Sequence, residues 1–213
     1  MAQAQMDAPA TTALDTSNYV KHTSGNPIQR NLIDRFHEVI LAKIVELDPA
    51  SFLDAGCGEG FVAQLLLERL PALPLTGFDH NPDSVGMAQE KSPGATFQAA
   101  SIYEIPFADR SFDLVGCFEV LEHMVEPSKA LAELGRVADR SMVISVPHEP
   151  YFCLANAARG KNLDIRPRGS DPDHKNFWTK TAFGEFVVET CPAFRVTWLG
   201  GSLPWTICVA TRT

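Results

Sequence analysis

His123, His148 and His174 each stand where the sequence changes character. His123 closes the run Glu119-Val120-Leu121-Glu122-His123, His148 sits in Val146-Pro147-His148-Glu149-Pro150, and His174 in Asp171-Pro172-Asp173-His174. Imidazole gains and loses a proton near neutral pH, so each is a candidate base toward a hydroxyl or ammonium proton. The plainer reading of each is a histidine that caps a helix or fixes a loop. Glu119, Glu122, His123 and His174 together supply two carboxylates and two imidazoles, a donor set suited to a divalent cation.

A second group of residues is suited to hold a ligand rather than react with it. Leu53-Asp54-Ala55-Gly56-Cys57-Gly58-Glu59-Gly60 joins a short apolar run to a helical one. Glycines there let the backbone turn tightly and approach a ligand, and in open α/β sheets ligands lie beyond the carboxyl ends of the strands. Asp79 follows Gly60 by nineteen residues, in Gly77-Phe78-Asp79-His80-Asn81. A carboxylate at that place accepts hydrogen bonds from two vicinal ribose hydroxyls. The alternative task, capping the next helix, is open to Asn81. Phe61 stands where the dinucleotide fingerprint of nicotinamide dehydrogenases needs its third glycine, which disfavours those enzymes.

These side chains need a frame. Ile28, Leu32, Ile33, Phe36, Ile40, Ile44 and Leu47 recur at helical spacing and predict a helix over 26–47. Strands are expected at 51–55, 75–79, 96–99, 112–118 and 141–146, alternating with helices at 61–70, 82–91 and 127–137. That alternation implies an α/β fold with a doubly wound, mostly parallel sheet covered on both faces. From 151 to 177 periodicity is lost, and 147–178 reads as a long lid or acceptor loop holding His174, Asn176 and Trp178. A helix at 179–190 and strands at 194–199 and 205–210 follow, with an antiparallel strand expected there.

The bulk composition narrows the classes. With 213 residues, 45% hydrophobic and 21% charged, the chain has room for one globular core. Residues 1–16 read as a disordered leader without the apolar run of a signal peptide. A net charge of −8 opposes binding to a phosphate backbone. Five scattered cysteines without a C-x-x-C pair suggest neither a disulfide framework nor a zinc ribbon, and fit a cytoplasmic protein. No run is long enough to span a bilayer.

Four segments in order, LDAGCGEG at 53–60, GFDHNP at 77–82, IPFADRSFDLV at 105–115 and EVLEH at 119–123, resemble the class I S-adenosylmethionine-dependent methyltransferases. The resemblance implies a Rossmann-like methyltransferase domain over 17–213, with a helical cover at 17–48 that includes Tyr19 and His22. It implies S-adenosyl-L-methionine as cofactor, with Asp54, Gly56, Cys57 and Gly58 at its methionine end and Asp79 on its ribose. His80 would pack beside the adenine, and Ser101, where the family often has Asp, would meet the adenine with the backbone of Ile102. Phe118 and Glu119 would flank the reactive methyl. Arg30 would pair with the cofactor carboxylate, or else be a solvated charge on its helix. The implied activity is methyl transfer to a small-molecule acceptor, with a hydroxyl oxygen as first candidate. The E-x-x-E-H run with the later Asp-His also resembles small-RNA 3′-terminal 2′-O-methyltransferases, in which a metal engages the terminal ribose hydroxyls. A module that binds the cofactor without catalysis is the third reading.

Overall fold

Asn26 and Pro27 start the first helix as their types require. In the computed structural model, which describes residues 25–165 and 167–213, the Asn26 side chain accepts from Ile28 N at 3.0 Å, and Pro27 opens α1, Pro27–Leu47. Asp48, in the left-handed region, ends it by donating to the carbonyls of Ile44 and Val45. Ile33, Phe36, Ile40, Leu41 and Ile44 form its buried stripe. The leader, Tyr19 and His22 lie outside the described residues.

The sheet is built from β1 (Phe52–Ala55), β2 (Leu75–Asp79), β3 (Thr96–Ala99), β4 (Phe112–Phe118), β5 (Ala138–Pro147), β6 (Phe194–Gly200) and β7 (Trp205–Arg212). Their order is β3-β2-β1-β4-β5-β7-β6, parallel except for β7, which runs antiparallel to both β5 and β6. The strand order reverses between β1 and β4, which places a crevice beyond Ala55 and Phe118. Helices α2 (Phe61–Arg69), α3 (Pro82–Lys91), α4 (Pro127–Val137) and α6 (Lys180–Thr190) link the strands. Because successive side chains point to opposite faces, Phe52 and Leu114 join one core, with Ile40, Ile44 and Leu66, while Leu53 and Val115 join the other, with Leu131, Met142 and Phe183.

Two elements differ from expectation. β5 begins at Ala138, directly after α4, and Arg212 bridges the junction by donating to the carbonyls of Gly135 in the helix and of Ala138 and Asp139 in the strand. The stretch expected to lack structure from 151 holds a helix, α5, Tyr151–Ala158. Tyr151, Phe152, Cys153 and Leu154 are apolar in succession, so no single stripe shows in the sequence. What selects the helix is tertiary: Gly169 lies so close to α5 that a β-carbon there would sit 2.0 Å from the Cys153 carbonyl, and Asn156 Nδ2 donates to Gly169 O at 2.9 Å. All five cysteines are buried thiols. Among the described residues no helix is long and apolar enough to cross a membrane.

Candidate functional site

The turn after β1 is held by the strand beside it. Gly56 N and Cys57 N both donate to Phe78 O, at 2.8 and 2.9 Å, which binds the turn to the end of β2. Gly56, Gly58 and Gly60 take φ of 75°, 50° and 77°. Two of these positions also lack room: a β-carbon on Gly56 would stand 2.6 Å from Val120 Cγ2, and one on Gly60 would stand 2.8 Å from Ala88 Cα. Asp79 closes the arrangement. Its Oδ2 accepts from Gly58 N at 3.0 Å and its Oδ1 from Asn81 N at 2.9 Å, so both oxygens are anchored. Asn81 itself caps α3 through Asp83 N.

Asp54 lies beneath the turn, 2% exposed, and its Oδ2 has no hydrogen-bond partner among the described residues. Burial, and then the charge of Asp79, push its carboxyl up to about 7. Burial holds the Cys57 thiol well above its ordinary range, so it is no nucleophile. The sequence reading missed Glu59 and Lys91. Glu59 is 1% exposed and accepts from Ser84 Oγ, while Lys91 Nζ donates to the Glu59 carbonyl at 2.9 Å and stands 3.4 Å from the Phe61 ring centroid. A charged residue between two turn glycines was the available signal.

Past β4 the chain turns sharply. Glu119 takes φ 58°, and a short 3₁₀ turn, Leu121–His123, follows. Lys175 N and Asn176 N donate to Glu122 O at 2.8 and 3.0 Å, and Asn176 Nδ2 reaches the carbonyls of Leu121 and Met124 at 3.1 and 2.6 Å. This clasp brings His174 onto His123, with ring centroids 5.0 Å apart. His123 Nδ1 lies 3.2 Å from Asp173 O, and its Nε2 is 3.9 Å from Oε1 of the buried Glu122. Glu122, His123 and His174 each present a ligand atom within 4.8 Å of the others. Glu119 stands outside that group: its Oε1 accepts from Ser145 Oγ at 3.1 Å.

The other candidates are more dispersed. His148 donates its backbone N–H to Pro204 O and packs on Tyr151 with centroids 5.0 Å apart, and burial, then Lys180, lower its pKa. His80 is exposed, with Nδ1 3.1 Å from Asp79 Oδ1. Ser101 is also exposed, and its Oγ accepts from Tyr103 N at 3.2 Å, while Ile102 is buried behind it. Phe118 ends β4 half-buried, in register with Ser145. Arg30 stands exposed in the first turn of α1.

Residues 53–143 match the family model described as a methyltransferase domain. Those residues carry the glycine turn, Asp54, Asp79 and His123. That segment is a methyltransferase domain similar to those of enzymes that use S-adenosylmethionine. Over 136 residues it is 28% identical to a probable S-adenosylmethionine-dependent methyltransferase of Mycobacterium tuberculosis, covering 62% of this chain and 47% of that one. It is 33% identical over 161 residues to a malonyl-[acyl-carrier protein] O-methyltransferase of Pseudescherichia vulneris, covering 76% and 60%. The chain spans about half the length of the first curated relatives it matches. The fold is that of the magnesium protoporphyrin IX methyltransferase of Synechocystis, solved with bound SAH: the TM-score is 0.72, the identity 19%, and the match covers 94% of this chain and 96% of that one.

Proposed function

We propose that this protein moves a methyl group from S-adenosylmethionine to a small-molecule acceptor, and that the accepting atom is a hydroxyl oxygen. The observation that carries the reading is the pair of carboxylates under the glycine turn. Asp79 is pinned by two backbone N–H groups, which leaves its remaining lone pairs for vicinal hydroxyls. Asp54 keeps a buried oxygen that lacks a partner among the described residues, which fits the ammonium of the cofactor's amino-acid end. Gly56 and Gly58 supply bare backbone between them, and Ser101 with the backbone of Ile102 serves the adenine. Oxygen as the accepting atom is supported by the name of the malonyl-[acyl-carrier protein] O-methyltransferase among the relatives.

When bound, the cofactor supplies an electrophilic methyl on a sulfonium sulfur. The protein's tasks are then alignment, exclusion of water and removal of the acceptor's proton. His123 is the base in this reading. With its Nδ1–H donating to Asp173 O, the lone pair lies on Nε2. Protonation there places the imidazolium beside the Glu122 carboxylate, 3.9 Å away, which stabilises it. His174 packs against that ring, and Phe118 and Glu119 would flank the methyl.

Calorimetric titration with S-adenosylmethionine and S-adenosylhomocysteine tests the reading. Saturable binding of both is expected, and binding of neither would refute it. A second reading is favoured by one observation, the proximity of Glu122, His123 and His174, which supports metal-dependent 2′-O-methylation of an RNA 3′ end. The diversion of Glu119 to Ser145 and the net charge of −8 weigh against it. Methylation of a short RNA that stops with chelator and returns with divalent metal would establish it in place of the first.

A further inference from the structure

A groove runs along α1, α5 and the start of β7, enclosing a cavity of about 320 Å³. That is at the lower end of the range for small-ligand sites, about 300–1,000 Å³. Ile33 from α1, Phe152 from α5 and Trp205 from β7 give it apolar walls, and Arg159, Lys161 and Asp171 give it charge. We propose that this groove is the acceptor subsite, and that the acceptor is a small anion with an apolar, ring-sized body. The proposal rests on the methyltransferase reading above and adds the substrate class to it.

Location is the first support. Trp205 pairs with Pro147 at the carboxyl end of β5, two residues beyond Ser145, the register partner of Phe118. The groove therefore opens on the same sheet edge as the proposed base. Phe152 connects the two: its ring lies 5.2 Å from that of His174, which lies 5.0 Å from that of His123. Phe152, a wall of the groove, is thus separated from the proposed base by a single ring.

Charge is the second support. Arg159 donates to Ala155 O and to Asn156 Oδ1, at 3.0 and 2.6 Å, and neither it nor Lys161 pairs with a carboxylate among the described residues. Among the described residues of the lining Asp171 is the single carboxylate, and its Oδ1 already accepts from Asp173 N at 3.1 Å. The described lining is thus net positive in a protein of net charge −8. The third support is the Trp205 indole, which is 8% exposed and packed 4.8 Å from the Phe36 ring, with Nε1 buried and no acceptor among the described residues. Buried donors are normally satisfied, so this wall holds a donor that a small shift would give to a ligand oxygen.

The test uses nitrogen-15-labelled protein saturated with S-adenosylhomocysteine, and reads the Trp205 indole N–H resonance, assigned with Trp205→Phe. The probes are 4-hydroxyphenylacetate, its neutral amide 4-hydroxyphenylacetamide, and the cationic tyramine. The acetate is expected to shift the resonance saturably and to bind about tenfold tighter than the amide, with tyramine weakest. Arg159→Gln and Lys161→Gln, both at exposed positions, are expected to weaken the acetate about three- to tenfold and leave the amide within about twofold. Equal affinities for the three probes, or an unmoved Trp205 resonance at millimolar acetate, would overturn the subsite. Calorimetry of S-adenosylhomocysteine on the same samples separates that result from failure of the methyltransferase reading, in which the nucleoside itself does not bind.

Discussion

Asp79→Ala removes one side chain that serves two purposes, and the structure allows the two losses to be sized separately. Bound ribose would offer this carboxylate two hydroxyl hydrogen bonds, each worth about 1.5–3 kcal/mol with a charged acceptor. Losing both weakens cofactor binding by about 3–6 kcal/mol, or roughly 10²- to 10⁴-fold in Kd. The same truncation strips the acceptor from Gly58 N–H and Asn81 N–H, both part-buried. Water can reach groups of that kind, so the stability loss is at the low end for unsatisfied donors, about 1–2 kcal/mol in total. For a chain of this size that lowers Tm by about 2–8 °C. Calorimetry with S-adenosylhomocysteine and a thermal melt in the same buffer measure the two effects. A Kd within about threefold of the parent, alongside the expected fall in Tm, would show that Asp79 merely fixes the turn.

Asp54 titrates at about 7 in the folded chain against an ordinary 3.8, so folding takes up a proton between those values. Its contribution to stability is full below about 3.8, declines as pH rises to about 7 and is flat above. His37 and His148, both lowered by burial, slope the other way, so the measurement is the difference in urea stability between the protein and Asp54→Asn across pH 4–8; a difference independent of pH would refute the assignment. Gly60→Ala forces a β-carbon to 2.8 Å from Ala88 Cα at φ 77°. The strain is expected to destabilise by about 1–3 kcal/mol, seen as a fall in Tm, and an unchanged Tm would contradict it. Asn176→Ala frees the carbonyls of Leu121 and Met124 and is expected to lower kcat at least about tenfold while leaving S-adenosylhomocysteine affinity unchanged. Equal loss of affinity would mean that the clasp shapes the cofactor site instead.

Much of the frame is legible in the sequence. The bounds of β2, β3, β4, α3 and α4 follow from apolar runs punctuated by proline or glycine, and Asp79 is found by its distance from the turn. The less legible parts depend on partners far along the chain. α5 is set by Gly169 and Asn156, and its apolar residues show no stripe. Glu119 looks like a ligand beside Glu122 and His123 until Ser145, 26 residues on, is seen to donate to it. His123 and His174 were both visible as candidates, but their contact depends on the backbone bonds from Lys175 and Asn176. The unpartnered oxygen of Asp54 and the indole of Trp205 have no sequence signal, since the want of a neighbour is a property of packing alone.

The place of β7 between β5 and β6 orders events during synthesis. Ser141 and Thr211, bonded across the β5–β7 pair, are 70 residues apart in the chain. At ribosomal rates of about 5–20 residues per second, β5 emerges roughly 4–14 seconds before the strand that covers its outer edge. β6 is made in that interval and cannot use the edge, because its own partner is also β7. The nascent protein thus carries an open apolar strand, Met142 to Val146, for longer than a typical domain takes to fold. Speed of translation through residues 148–205, rather than the stability of the finished sheet, becomes the control on how much of the chain escapes aggregation, and slow codons there would lower yield without altering a single contact.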